Sequence, residues 1–156
     1  MFRSNCTMLV LATALLASPA SHAADEVFAT AAGAIRGYDA VAYHTEGKPV
    51  PGRSEFSHEW NGATWHFASA ANRDRFAAAP ARFAPQYGGY CAYGTARGYK
   101  VSTQPEAFAI VDGKLYLNYS IEVQATWNQD RPGYIRQADH NWRELAATSY
   151  TPEAKN

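Results

Sequence analysis

Four side chains in this sequence have the chemistry to bind a metal ion or a small ligand: Asp39, His44, His58 and Cys91. Imidazole nitrogens bind divalent copper or zinc, and a thiolate or a carboxylate can complete such a site. The sequence has no H-E-x-x-H pattern and no close pair of histidines. The four side chains must therefore converge from distant segments, and we predict one metal-ion or small-ligand site, with copper or zinc as the metal.

Three of these residues, Asp39, His58 and Cys91, also have a structural interpretation, which the sequence leaves open. Cys91 follows two glycines, and we expect it in the first turn of a helix, where the dipole favours thiolate. A buried cysteine packed as a small apolar group is the commoner case. His58 could equally be a hydrogen-bonded structural residue, and Asp39 could bind backbone amides at the start of a strand. We assign His66 and His140 to the surface.

Six tyrosines could line a pocket for a small molecule, although packing in the core is the interpretation we favour for them. They are Tyr87, Tyr90, Tyr93, Tyr99, Tyr116 and Tyr119. The sequence has no G-x-S-x-G elbow and no phosphate-binding loop. We therefore predict no catalytic residues, and a binding module rather than an enzyme.

Composition and charge exclude other classes of protein. The 156 residues include 14 basic and 14 acidic side chains, without the basic excess of a nucleic-acid-binding protein. The chain is 47% hydrophobic and 13% aromatic, which is enough to build a core. Its length fits one domain.

The N-terminal residues 1–23 have the pattern of a secretory signal peptide, with a basic start, an apolar segment at 8–17 and small residues before Ala23. The apolar segment is about half the roughly 20 residues that a membrane-spanning helix needs. We expect cleavage after Ala23, a periplasmic location and no stable membrane insertion. Cleavage removes Cys6 and leaves Cys91 as the only thiol, so an internal disulfide is impossible.

The first half of the chain contains one clear hairpin pattern. Residues 38–43 are predicted to form a short strand, and residues 55–60 alternate between apolar and polar side chains. Asn61-Gly62 is a two-residue hairpin signal, followed by a return strand at 63–67.

Helix signals follow this hairpin. Ser69 is expected to cap a helix that runs to residue 79, and Pro80 to open a second, short helix. Residues 90–97 are predicted to form a third helix. A second hairpin is predicted around Asp112-Gly113.

The last third is predicted to contain two helices. Ser120 is expected to cap a helix that ends near residue 128. Residues 131–133, with the sequence Arg-Pro-Gly, are expected to break it before a final helix at 134–146.

The predicted fold is therefore a single small α+β domain in which two β-hairpins alternate with short helices. We place a flexible lead-in at residues 24–34, the domain at 35–146 and a C-terminal tail at 147–156.

Several stretches, in order, resemble a YHS domain, and in particular the exported YHS-domain proteins of bacteria. They are residues 37–43 and 62–69, then Asn72, Phe76, Pro80 and Phe83, then residues 85–92 and 112–119. The resemblance covers roughly residues 35–145 and implies a small α+β fold in an exported protein.

YHS domains also occur in heavy-metal P-type ATPases, where cysteines suggest metal handling. The resemblance implies that this metal-associated form has cysteines where Ala42, Ala68 and Asn72 stand here. Because monovalent copper prefers thiolate and thioether ligands, that site does not carry over. We predict an exported module that binds a metal ion or a small ligand. The alternatives are a ligand-free structural or interaction module of the cell envelope, with an unidentified protein partner, and a thiol-dependent redox protein or enzyme.

Overall fold

The computed structural model describes residues 25–152, so the predicted signal peptide and its cleavage site lie outside the described residues. Within them the chain forms six α-helices and three two-stranded antiparallel sheets. The strands are β1 (Ala29–Thr30), β2 (Gly33–Ala34), β3 (Arg53–Trp60), β4 (Ala63–Phe67), β5 (Phe108–Val111) and β6 (Lys114–Leu117). The helices are α1 (Ala40–Thr45), α2 (Ala70–Ala78), α3 (Pro80–Phe83), α4 (Ala92–Ala96), α5 (Ile121–Asn128) and α6 (Arg131–Leu145). The predicted small α+β fold is confirmed.

Both predicted hairpins are present, and their turns have the expected backbone. Asn61 and Gly62 have φ angles of 49° and 75° between β3 and β4. Asp112 and Gly113 have φ angles of 51° and 74° between β5 and β6. Two consecutive left-handed residues match the right-handed twist of the flanking strands, which is why Asn-Gly and Asp-Gly predict these turns.

The predicted caps of α2 and α5 are also present. The hydroxyl oxygen of Ser69 accepts a hydrogen bond from the backbone N–H of Asn72 at 3.1 Å. Ser120 does the same with the N–H of Val123 at 3.2 Å. Pro80 stands at the start of α3, where a missing N–H has no cost.

The prediction of a strand at residues 38–43 is wrong, because α1 begins at Ala40. Asp39 is its N-cap and accepts hydrogen bonds from the backbone N–H groups of Val41 and Ala42. The apolar run gives no period that separates a short strand from a short buried helix, and the cap decides the outcome.

Two other helix starts differ from the prediction. The sequence at 131–133 begins α6 rather than breaking the chain, because Asp130 caps the N–H of Gly133 at 3.0 Å. Pro132 lies in the first turn, where proline is tolerated. Helix α4 begins after Cys91, which is its N-cap rather than a residue of its first turn.

The segment expected to be a flexible lead-in is packed from Val27 onwards. Val27 and Phe28 are buried, and the N–H of Phe28 donates to the carbonyl of Gly88 at 2.9 Å. Strands β1 and β2 then form a third, very short sheet. The backbone N–H of Tyr150 donates to Asp25 at the other end of the chain, so packed residues extend beyond both ends of 35–146.

Two hydrophobic clusters form the interior. The front cluster joins the first hairpin, α1 and α2, with Trp65, Phe67 and Phe76 at its centre. The rear cluster joins α4, α5 and α6 to the second hairpin, with Tyr116 and Trp127 at its centre. Within residues 25–152 no helix combines the length and the apolar composition needed to cross a bilayer.

The chain makes two left-handed turns beside these clusters. The first turn is Ile35–Gly37, with φ angles of 43°, 60° and 78°. The second turn is Gln86–Gly89, in which Tyr87, Gly88 and Gly89 have φ angles of 56°, 62° and 87°. It leads from the front cluster to the rear cluster, to which Tyr87 belongs. A Cβ atom at Gly88 would overlap the carbonyl oxygen of Glu26, so only glycine allows the N-terminal segment to dock there.

We predict that Gly88→Ala lowers the free energy of unfolding by about 3 kcal/mol, because it combines an unfavourable φ with a backbone clash. Gly62→Ala is the matched control, since Gly62 also has a positive φ but a Cβ added there would meet nothing within 4 Å. We expect about 1 kcal/mol for this control. Urea unfolding monitored by tryptophan fluorescence measures both free energies. Equal losses of unfolding free energy in the two variants would contradict the docking of the N-terminal segment on the second turn.

Candidate functional site

Asp39 is fully buried, and both of its carboxylate oxygens are engaged by the protein itself. Oδ1 accepts from the N–H groups of Val41 and Ala42 at 2.8 and 3.1 Å. Oδ2 accepts from the N–H of Ala68 and from Nδ2 of Asn72, both at 2.8 Å. Four donors match the acceptor capacity of an ionised carboxylate. Asp39 therefore joins α1, the end of β4 and α2, as its structural interpretation requires.

The donors to Asp39 include all three positions at which the resemblance implies cysteines in the metal-associated form. Ala42 and Ala68 donate through their backbone N–H groups, and Asn72 donates through its side chain. In this chain the same place in the fold is a hydrogen-bonded carboxylate.

The two candidate histidines pack against aromatic rings. His44 lies edge-on to Phe83, with 5.6 Å between ring centroids, and its Nε2 is 3.2 Å from the Phe83 carbonyl oxygen. Beside a carbonyl this nitrogen must donate, and burial lowers the pKa of the His44 imidazole below its usual value. His58 packs on Phe76 with 6.2 Å between centroids and is half-buried. The two histidines predicted to lie at the surface differ in exposure: His140 is exposed, whereas His66 is half-buried.

Cys91 is buried at 1% exposure and caps α4 with its sulfur. Its Sγ accepts from the backbone N–H groups of Gly94 and Tyr119 at 3.4 and 3.3 Å. It also lies 3.6 Å from Oδ1 of Asn118, to which the thiol donates. The sulfur is thus buried, as its structural interpretation holds, but it is held by polar contacts rather than by apolar packing alone.

The four predicted ligands do not assemble into one metal site. Among the described residues 25–152, no three His, Cys, Asp or Glu side chains are grouped so that they could hold a metal ion. Residue type suggested these ligands, but the lone pairs of Asp39 already accept N–H groups.

The structure instead contains a cleft of about 530 Å³ between the front and rear clusters. The second left-handed turn lines it through Tyr87 and Gly88. The β3–β4 turn, the β5–β6 turn, α3 and α6 contribute further walls, and Glu26 and Val27 close it from the N-terminal side. Volumes of this order are typical of small-molecule sites.

Four aromatic side chains line this cleft: Trp60, Trp65, Tyr87 and Trp142. Trp65 is buried, and its Nε1 donates to the backbone carbonyl of Trp60 at 3.0 Å. The half-buried Trp60 ring packs against the Trp65 ring with 5.9 Å between centroids. Tyr87 and Trp142 pack with 6.1 Å between ring centroids. These tryptophans are not among the site residues predicted from the sequence. Of the six tyrosines considered for a pocket, only Tyr87 lines the cleft.

The charged groups of the cleft are Glu26, Asp139 and Lys114. The hydroxyl of Tyr87 donates to Oδ1 of Asp139 at 2.9 Å. Burial, followed by the hydrogen bond and charge of Asp139, raises the pKa of the Tyr87 phenol well above its usual value. The Tyr87 hydroxyl therefore stays protonated at neutral pH, and the hydrogen bond that it donates orients the Asp139 carboxylate.

We predict that Asp39→Asn lowers the free energy of unfolding by about 3 kcal/mol, because either orientation of the new amide opposes an NH₂ group to N–H donors. Ser69→Ala is the control, since it removes a single cap of α2 and should cost about 1 kcal/mol. Urea unfolding measures both. A change below about 0.5 kcal/mol for Asp39→Asn would show that these hydrogen bonds do not support the fold.

We predict that the Cys91 thiol resists alkylation in the folded protein. In a Cys6→Ser background, iodoacetamide should modify Cys91 at least about 100-fold more slowly in buffer than in denaturing urea, because reaction requires opening of the surrounding structure. Mass spectrometry of timed samples measures the rate. Rapid modification of the folded chain would revive the thiol-dependent alternative.

Comparison with known proteins identifies one segment of this fold. Residues 41–87 match the family model described as YHS domain. No curated protein and no solved structure matches the chain. The matched segment runs from α1 to the second left-handed turn, and it includes Ala42, Ala68 and Asn72 around Asp39. The wider resemblance over residues 35–145 stays a prediction, whereas the similarity to a YHS domain is shown for residues 41–87.

Proposed function

We propose that this protein is an exported, periplasmic binding module that holds a small ligand in the cleft between its two hydrophobic clusters. The observation that carries the proposal is the cleft of about 530 Å³, with aromatic side chains on both sides and three charged side chains around it. The cleft combines aromatic rings with polar and charged side chains, and small-molecule sites pair such rings with a few placed polar groups. The YHS domain supplies Trp60, Trp65 and Tyr87.

Backbone strain in the second left-handed turn, which lines the cleft, supports the same site. Tyr87 is not a glycine, yet it has a φ of 56° and is followed by two further left-handed residues. Conformations of this kind cost of order 1–3 kcal/mol and concentrate at functional sites. Here the strained turn carries the Tyr87 ring against Trp142 and its hydroxyl to Asp139.

The geometry favours this cleft over the predicted metal site. Binding of a metal by Asp39 would displace N–H donors of the fold, and Cys91 is enclosed by Gly94, Asn118 and Tyr119. The cleft needs no such rearrangement. Copper and zinc therefore enter as competing probes in the test below.

Export is supported by the sequence at 1–23, whose apolar segment and small residues before Ala23 suit a signal peptidase. Cleavage there would retain Glu26 and Val27, which line the cleft. The proposal of a periplasmic ligand-binding module requires both a cleaved signal peptide and a mature chain that keeps Glu26 and Val27.

We predict that the purified protein binds members of a panel of neutral aromatic, cationic and anionic small molecules, and that Ala81→Phe weakens this binding at least about tenfold by filling the cleft. Ala81 is exposed and lines the cleft on α3. The matched control is Ala77→Phe on α2, an exposed alanine at a position outside the cleft lining. Ligand-observed NMR and calorimetry measure the binding.

Failure of every panel member to bind would overturn the proposal and favour the ligand-free interaction module. Binding that survives Ala81→Phe would place the site elsewhere. Copper(II) or zinc binding that survives Ala81→Phe but is lost in a His44→Gln, His58→Gln variant would support the metal site instead.

A further inference from the structure

We infer that the ligand of this cleft carries a cationic ammonium or guanidinium group and is therefore an organic cation. The inference rests on the proposed function, because it assigns a ligand class to the same cleft. It follows from the side chains that surround the cleft, namely aromatic rings with two carboxylates. Aromatic faces attract cations through the quadrupole of the ring, and Trp is the strongest of them.

The charges around the cleft are unequal. Glu26 and Asp139 are acidic and Lys114 is basic, so the lining carries an excess of one negative charge. All three residues are exposed, and within the described part of the chain none of them has an ion pair within 4.0 Å. Glu26 also interacts electrostatically with the Lys100 ammonium group beside the cleft, so Asp139 is the carboxylate best placed to pair with a ligand cation. A neutral ligand can donate hydrogen bonds to this carboxylate but gains no charge pairing.

Asp139 is held in place for such a contact. Tyr87 donates to its Oδ1 at 2.9 Å, and Tyr87 is itself fixed by the left-handed turn and by packing on Tyr116 and Trp142. A carboxylate fixed beforehand loses little side-chain freedom when a ligand binds. The Tyr87 hydrogen bond occupies Oδ1, and Oδ2 of the same carboxylate provides further acceptor capacity.

The protein already shows how this region accommodates an ammonium group. Nζ of Lys100 lies 5.0 Å from the ring centroid of Tyr90 and 5.4 Å from that of Trp142. The same nitrogen donates to the carbonyl oxygens of Asp25 and Thr148, each at 2.7 Å. Rings and oxygens thus hold one cation beside the cleft, and Trp142 belongs to both places.

Choline is the probe, and 3,3-dimethylbutan-1-ol is its neutral isostere, in which carbon replaces the cationic nitrogen. Calorimetry on the purified protein at low salt should give choline at least about tenfold tighter binding, because only choline gains the cation–π and carboxylate contacts. Added sodium chloride should reduce this difference.

Three variants locate the charge contribution. Asp139→Asn keeps an acceptor for Tyr87 and should weaken choline binding about fivefold, while Lys114→Gln should strengthen it to a similar degree. Glu144→Gln is the control, because Glu144 is exposed on the same helix as Asp139 but does not line the cleft. We expect no change for this control.

The outcomes separate this inference from the proposed function. Equal binding of the two isosteres, or binding of only neutral or anionic panel members with sensitivity to Ala81→Phe, would overturn the cationic ligand and leave the cleft as a binding site. Binding of no probe at all would overturn both. Choline binding that is unaffected by Asp139→Asn and Lys114→Gln would remove the assigned role of these charges and overturn the inference.

Discussion

The second left-handed turn is the constraint on which the rest of the molecule depends. Its carbonyl groups bind segments from both sides: Gly88 accepts from Phe28 at 2.9 Å, and Gly89 accepts from the hydroxyl of Thr103 at 2.8 Å. The close approach of Glu26 to Gly88 leaves no room for a side chain there. This turn connects the front cluster to the rear cluster, and its residues Tyr87 and Gly88 line the cleft. A different residue at Gly88 would alter the docking of the N-terminal segment and the shape of the cleft at once.

Local signals in the sequence predicted much of the fold. The Asn61-Gly62 and Asp112-Gly113 turns and the Ser69 and Ser120 caps depend on contacts between residues at most a few positions apart, and all four are present. The prediction fails at residues 38–43 because the short apolar run suits either element and the decisive contact is the Asp39 cap. The Arg-Pro-Gly sequence at 131–133 was predicted to break the chain, but Asp130 immediately before it is an N-cap, so the same residues begin α6.

The candidate site was less predictable, because residue types do not reveal whether a group is already satisfied within the fold. A buried carboxylate is costly unless its lone pairs are matched, and Asp39 has four N–H donors from three elements. Some partners of Asp39 and Cys91 lie 27 to 33 positions away, beyond any local pattern. The cleft escapes prediction because its tryptophans come from the first hairpin and the last helix. Trp60 gives the one useful signal, since a ring at the end of a strand beside a tight turn lies at the edge of the core, where a cleft can open.

The placement of the cleft also links the proposed export of this protein to the proposed binding of a ligand. Glu26 and Val27 line it, and the predicted cleavage site after Ala23 lies only a few residues before them. Phe28 anchors this segment through Gly88, while Lys100 and Tyr150 bind Asp25. Cleavage after Ala23 keeps all of these contacts, whereas removal of the next five residues would delete Glu26, Val27 and Phe28 together. The N-terminal segment thus lines the proposed site, and a cut after Ala23, as the sequence predicts, would leave this lining complete.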